Sequence, residues 1–358
     1  MLPSFPSITF PNHWTLVTGL YPEAHGIIGN EFYDPNLHEK FIHKKPEISQ
    51  HPKWWKGEPI WKTASSQGKL SGVVMWPGSG VPTMKADYFI DYKREFTAQS
   101  KMVTVLEWLD SPLEKRPQMI SVYIPQVDQK GHGGGPDGAQ LNSVLKNMDD
   151  AIGYLLDGLT ERNLDSHVHV VIVSDHGMAQ THKSRVIYYD DIISPQSRSY
   201  LMDREAWPLL NLRPKENAPP YAVEQIYNEF MNYTKQHNDT HFRVYLREDV
   251  PDQYHYSNNQ RIAPIVVIPD VGYSFALHSE FNNTADGDYR PRGIHGYDNF
   301  AYEMRAIFMA RGPRVERKWG RGAILKPFQN TEVYHFVADL LNLEPSPNNC
   351  TLCSEFEV

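Results

Sequence analysis

Cysteine is nearly missing: Cys350 and Cys353, in "NNCTLCSE", are the only two in 358 residues. Two thiols are too few for a disulfide scaffold and too few for a four-thiolate zinc site. The pair reads either as a local disulfide or as two free thiols in a tail. Excess positive charge is missing too. A formal charge of −8 argues against binding a nucleic-acid duplex, because polyanion binding rests on Lys and Arg that neutralise phosphates. No apolar run reaches the roughly 20 residues needed to span a bilayer, so no membrane segment is expected. The N-terminus has neither a basic start nor a continuous apolar stretch of signal-peptide type. Repeats and low-complexity tracts are also absent.

What remains is the composition of a folded domain, 40% hydrophobic and 22% charged, with 12% aromatic residues for core and pocket. The length suits one large domain with an insertion, or two ordinary domains. Four Asn-x-Ser/Thr sequons, at Asn232, Asn238, Asn282 and Asn349, favour a secreted glycoprotein whose signal or anchor lies outside this chain.

Short apolar runs rich in β-branched residues recur at 70–76, 119–124, 168–173 and 305–310, each ending in Gly, Pro or a polar cluster. Without strict alternation, they read as strands buried on both faces of a mostly parallel sheet. Between the second and third runs, Leu141, Val144, Leu145, Met148, Ile152, Leu155, Leu156 and Leu159 recur at helical spacing, which predicts a β-α-β crossover. A closing amphipathic helix is expected over 331–343, capped by Thr331. The fold class is therefore α/β, doubly wound. Residues 195–290 break the pattern and read as an α+β insertion over the sheet's edge. That assigns 1–194 and 291–348 to the main domain and 349–358 to a C-terminal tail.

Open parallel sheets bind ligands beyond the carboxyl ends of their strands, and polar clusters stand at those places here. Asp128 and His132 follow the run at 119–124, Asp175 and His176 follow the run at 168–173, and His295 precedes the run at 305–310. Carboxylate oxygen and imidazole nitrogen suit Zn²⁺, and two such sets side by side would make a two-metal phosphoryl-transfer site. Near the N-terminus, "SITFPNHWTLVTG" reads as a short helix with Thr9 as its N-cap and Gly19 at its end. A hydroxyl there either serves only as that cap or lies in the positive field of a helix N-terminus which, beside a bound Zn²⁺, would favour the alkoxide. Trp54, Trp55 and Trp61 read as core packing.

Taken together and in order, "SITFPNHWTLVTGLYPEAHGIIGNEFYDP", "WWKGEPIWKTA", "WPGS", "VDQKGHGGGP", "VIVSDHGM", "IHGYDN" and "LNLEPSPNN" resemble the ecto-nucleotide pyrophosphatase/phosphodiesterase family of the alkaline phosphatase superfamily. The resemblance implies an alkaline phosphatase-like fold and two Zn²⁺ cofactors. It makes Thr9 a nucleophile that forms a covalent nucleotidyl intermediate, with Asn30 contacting a phosphate oxygen. One zinc would be held on the Thr9 side by Asp175 and His176, the other by Asp128, His132 and His295. Phe10 and Tyr92 would sandwich the base of a small-molecule nucleotide, with Trp76 on the same substrate side. Stacking of that kind tolerates any base.

Two positions depart from the family pattern. Relatives commonly carry Asp after "WPGS", where Gly80 stands here. They also carry, upstream of the threonine, a strand ending in Asp-Gly whose Asp is a zinc ligand, and residues 1–8 contain no Asp. The expectation is a weakly held zinc at Thr9, Asp175 and His176, with the other zinc retained. Either the sequence is a truncated piece of an active enzyme, or it is a short form that binds nucleotides or a partner without turnover. A phospholipid-directed phosphodiesterase is the remaining alternative within the enzyme class.

Overall fold

The structure, a computed structural model, describes residues 1–282 and 287–358. Asn283 and Thr284 of the sequon at Asn282 lie outside the described residues. In chain order come α1 (Thr9–Thr18), α2 (Pro22–His25), β1 (Glu31–Asp34), β2 (Glu39–Ile42), α3 (Pro46–Ser49), α4 (Ile60–Ser66), β3 (Ser71–Val74), β4 (Tyr88–Ile90), α5 (Ala98–Leu109) and β5 (Met119–Val122). Then follow α6 (Gln126–Gly134), α7 (Ala139–Glu161), β6 (Val170–Val173), β7 (Ala179–Gln180), β8 (Val186–Tyr188), α8 (Pro195–Tyr200), β9 (Leu210–Leu212), α9 (Ala222–Gln236) and β10 (Phe242–Leu246). The chain closes with β11 (Ile265–Pro269), β12 (Ser274–Ala276), β13 (Gly293–Ile294), β14 (Phe308–Arg311), α10 (Pro313–Trp319), α11 (Glu332–Leu340) and α12 (Cys353–Phe356). No helix among the described residues is long and apolar enough to cross a membrane.

All four apolar runs overlap a strand, but the expected burial on both faces holds only for β3: β5 alternates buried and half-buried residues, β6 is half-buried throughout, and β14 alternates half-buried and exposed residues. The parallel part of the sheet has the order β4-β3-β5, and β3, in its middle, is fully buried, in keeping with a run that lacks polar alternation. The long helix α7 carries the chain from β5 to β6, and its Leu155, Leu156 and Leu159 pack with Val105, Leu106 and Leu109 of α5 over Ile120 and Val122. Among the described residues, however, β5 and β6 are not hydrogen-bonded to each other. The fourth run also departs from the parallel expectation, because β14 pairs antiparallel with β6. Its direction follows from where it starts. Ser174 N–H donates to Ile307 O and Gly177 N–H to Met304 O, so the chain enters β14 beside the carboxyl end of β6 and can only run back along it.

Aromatic residues fill the layer under α1. Trp14, Trp54 and Trp61 are fully buried, Trp55 nearly so, and the Trp14 ring meets Trp55 at 4.7 Å and Trp61 at 5.8 Å. This agrees with reading the tryptophans as core. Gly78 of "WPGS" lets the backbone pass this cluster: its φ is +88°, and a Cβ there would stand 2.7 Å from both Trp14 and Trp55. Within 195–290, β9, β10 and β11 form an antiparallel sheet of order β10-β11-β9, against which α9 buries Ile226 and Phe230. β12 pairs in parallel with β8, so hydrogen bonding reaches across residue 195.

Candidate active site

α1 begins one residue earlier than the capping pattern suggests. Ile8, extended at φ −112° and ψ 149°, occupies the N-cap and has no side chain to offer, and Thr9 is the first helical residue. The expected cap role of Thr9 is thus corrected: the cap comes from Asn30, whose Oδ1 accepts from Phe10 N–H at 3.0 Å. Pro11 sits in the first turn, where a missing N–H leaves no bond unmade, and Gly19 closes the helix in the left-handed region at φ 68°. The arrangement frees the Thr9 hydroxyl. Its Oγ1 lies 3.4 Å from His176 Nε2.

The three expected histidines share one device. His132 Nδ1 is 2.7 Å from Gly293 O, His295 Nδ1 is 2.9 Å from Ser7 O, and His176 Nδ1 is 2.8 Å from Gly177 O. A carbonyl only accepts, so each Nδ1 carries the proton and each Nε2 lone pair faces inward. There they crowd: Nε2 of His132 and His295 stand 3.2 Å apart, and the His176 and His295 rings stack at 3.4 Å. Asp128 Oδ1 lies 3.4 Å from both His132 Nε2 and His295 Nε2, yet is buried without a hydrogen-bond partner. Asp175 Oδ2 lies 3.0 Å from His176 Nε2.

The electrostatics point the same way. Burial pushes the Asp128 carboxyl up, against the pull of His176 and His132. Burial also opposes the charge on Asp175, but the His176 and His13 imidazoles outweigh it and hold that carboxyl well below the usual carboxylate range. His295 is pushed well below the ordinary imidazole value by burial, then by His176 and His132. His176 is pushed down by burial and lifted above its ordinary value by Asp175. Lone pairs converging on one point, with a buried carboxylate oxygen beside them that has no hydrogen-bond partner, are what a divalent cation would organise. Asp128, His176 and His295 place ligand atoms within 4.8 Å of one another, so the residues fit a metal.

Sequence reasoning missed His13 and Tyr123. His13 Nδ1 faces two acceptors, Thr9 O at 2.8 Å and Asp175 Oδ2 at 3.2 Å, and so steadies the carboxylate. Its spacing from Thr9, i to i+4 on one helix, was the available signal. The Tyr123 ring meets His13 edge-on at 4.6 Å. Burial, then the Asp175 and Asp128 carboxylates, push the Tyr123 hydroxyl well above the ordinary tyrosine range, which places it beside the cluster. No pattern in the sequence marks Tyr123.

The expected substrate-side residues are more scattered. Phe10 is half-buried and packs edge-on to His43 at 5.2 Å. Tyr92 is 51% exposed, and no ring contact joins it to Phe10. Trp76 Nε1 donates to His13 O at 3.0 Å, and its ring packs beneath α1. At Gly80 the place of a Cβ is taken by the Gln50 amide, whose Nε2 reaches toward Asp91 Oδ1 at 3.4 Å.

A mixed, partly parallel sheet with a threonine helix facing an Asp/His cluster at the strand ends defines an α/β protein of the alkaline phosphatase-like class. The model of the family described as Type I phosphodiesterase / nucleotide pyrophosphatase matches residues 1–298. An uncharacterised pyrophosphatase/phosphodiesterase of Schizosaccharomyces pombe is 43% identical over 356 residues, covering 98% of this chain and 71% of that protein. Human ectonucleotide pyrophosphatase/phosphodiesterase family member 1 is 35% identical over 98% of this chain, which spans only 37% of it. Among solved structures, murine ectonucleotide pyrophosphatase/phosphodiesterase 5 superposes with a TM-score of 0.85 at 30% identity, covering 99% of this chain and 89% of that one. An inactive threonine-to-alanine variant of the same mouse protein, in complex with AMP, superposes with a TM-score of 0.83 at 30% identity, covering 98% of this chain and 88% of that one. The chain belongs to the Type I phosphodiesterase / nucleotide pyrophosphatase family, a family of enzymes.

Proposed function

We propose that the protein hydrolyses nucleotide pyrophosphate or phosphodiester bonds, with Thr9 as nucleophile and two zinc ions as cofactors, and releases a nucleoside 5′-monophosphate. The observation that carries this is the meeting of Thr9 Oγ1, at a helix N-terminus, with three inward-facing imidazole nitrogens and two half-buried carboxylates. Asp175 and His176 would hold one ion on the Thr9 side, and Asp128, His132 and His295 would hold the other. Bound zinc supplies Lewis acidity, favouring the ionised hydroxyl and offsetting charge on the attacked phosphate.

The chain's own residues do the rest. Thr9 Oγ attacks phosphorus, the P–O bond to the leaving group breaks, and the leaving group departs with the bonding pair and takes up a proton. Water then attacks the same phosphorus and restores the hydroxyl. Because Asn30 Oδ1 is engaged by Phe10 N–H, its NH₂ is turned to donate to an equatorial phosphate oxygen, where charge builds in the transition state. Phe10, next to the nucleophile, offers one face for the base, and Tyr92 the other.

The AMP bound by the mouse protein supports a nucleotide ligand. The sequons, and the names of relatives such as the venom phosphodiesterase of Macrovipera lebetinus, support work outside the cell or in the secretory pathway. The test is turnover of p-nitrophenyl thymidine monophosphate beside AMP binding by calorimetry. Thr9→Ala should lose turnover and keep AMP affinity; equal rates in both proteins remove Thr9 from the mechanism. AMP binding without any wild-type turnover supports the nucleotide-binding reading instead.

A further inference from the structure

A second cluster of metal-ligating side chains lies far along the chain from Thr9, where the C-terminal segment folds back on α11. Cys350 and Cys353 are joined as a disulfide with Cα atoms 5.7 Å apart. His335, on α11, completes a group in which an imidazole nitrogen and both sulfurs lie within 4.8 Å of one another. Two features of this group are unexplained by a closed disulfide. Both His335 ring nitrogens are buried, and neither has a hydrogen-bond partner among the described residues. Glu357, the nearest carboxylate to Nε2, stands 3.8 Å away, beyond hydrogen-bonding reach. Glu332 is fully buried, and its Oε2 lies 2.8 Å from Cys350 Sγ. A disulfide sulfur carries no hydrogen, so nothing is donated across that contact.

We propose that the reduced Cys350–Cys353 pair, with His335 and Glu332, forms a binding site for a soft divalent cation such as Zn²⁺, separate from the cluster at Thr9. The ligand set is two thiolates at C-x-x-C spacing, one imidazole and one carboxylate, which suits tetrahedral zinc. Two thiolates bound to such an ion stand roughly 3.7 Å apart, a separation that adjacent turns of the segment permit once the S–S bond is opened. Glu332 already fixes the loop: Oε1 accepts from Thr351 N–H at 2.9 Å and from its hydroxyl at 3.0 Å, and Oε2 accepts from Leu352 N–H at 3.0 Å. The chemistry balances. A dithiol reductant gives two electrons and two protons to the disulfide and becomes a cyclic disulfide itself. The two thiols then release two protons as the cation binds.

The test uses Co²⁺ as probe on the full chain, oxidised and after reduction followed by anaerobic removal of the dithiol. The Thr9 cluster holds only oxygen and nitrogen donors, and the chain has only these two cysteines, so a thiolate-to-cobalt charge-transfer band can arise at this site alone. The reduced wild type should develop the band and the oxidised chain should not. Cys353→Ser should weaken or abolish it, and His335→Gln should lower Co²⁺ affinity there by roughly tenfold or more. A reduced wild-type chain with two titratable thiols and no such band overturns the proposal, as does a His335→Gln variant that binds Co²⁺ unchanged.

Discussion

His25 couples α1 to the loop that brings Asn30 to it, and protonation should break that coupling. The imidazole is fully buried. Its Nδ1 accepts from Ile27 N–H at 3.1 Å, so the ring proton is on Nε2, which faces Thr15 Oγ1 at 3.1 Å. The neutral ring is therefore fixed between α1 and the segment leading to Asn30. Burial, with the nearby Arg261 charge adding to it against opposing backbone hydrogen bonds, lowers its pKa from 6.5 to about 3. Between those two values the unfolded chain holds a proton that the folded chain refuses, so stability is lost as pH falls through that window. Each pH unit inside the window is worth about 1.4 kcal/mol, and a drop from pH 7 to pH 4 should remove about 3 kcal/mol through this residue alone. His25→Gln keeps a donor for Thr15 and does not titrate, though it loses the acceptor for Ile27 at every pH. Urea unfolding of both proteins at pH 7 and pH 4 isolates the difference, since carboxylate titration and metal loss are common to the two. The wild type should lose about 3 kcal/mol more than the variant; parallel losses would refute a neutral, locked His25.

Three further outcomes are expected. His13→Ala removes the partner of Asp175 Oδ2 without removing a ligand, and should lower metal affinity or turnover about 10- to 100-fold, read by metal titration beside the p-nitrophenyl assay. Asp128→Asn should lower the zinc retained by the purified chain, read by metal analysis, because Oδ1 is buried beside His132 and His295 with no other partner; an unchanged zinc content contradicts that reading. Gly78→Ala forces a Cβ to 2.7 Å from Trp14 and Trp55 at a positive φ, and should cost about 2–4 kcal/mol in denaturant unfolding, with an unchanged midpoint ruling out the packing described.

Much of this was legible because the sequence pattern and the chemistry coincide at the strand ends. Mostly apolar runs without alternation marked β3, β5, β6 and β14, and a polar cluster beside three of them pointed to Asp128, His132, Asp175, His176 and His295. The antiparallel course of β14 was not legible, because an apolar run reads the same in either direction; only the entry of the chain beside Ser174 and Gly177 decides it. Nor was the cap of α1. A threonine before Phe-Pro-Asn satisfies the local capping rule, but Asn30, twenty residues on, supplies the acceptor by a tertiary contact.

That displacement bears on mechanism. A hydroxyl occupied in capping its own helix would be turned to the N–H groups of the first turn and would have to break that bond to attack. With Asn30 accepting from Phe10 N–H, Thr9 Oγ1 is left facing His176 and the cluster, and the helix field acts on it without holding it. On the proposed mechanism the Asn30 amide donors, not engaged by Phe10, would be left for the phosphate that Thr9 attacks, so one side chain would serve both steps. His25 then matters beyond stability, because it ties α1 to the loop that ends at Asn30, and loosening that tie would disturb Thr9 and Asn30 together.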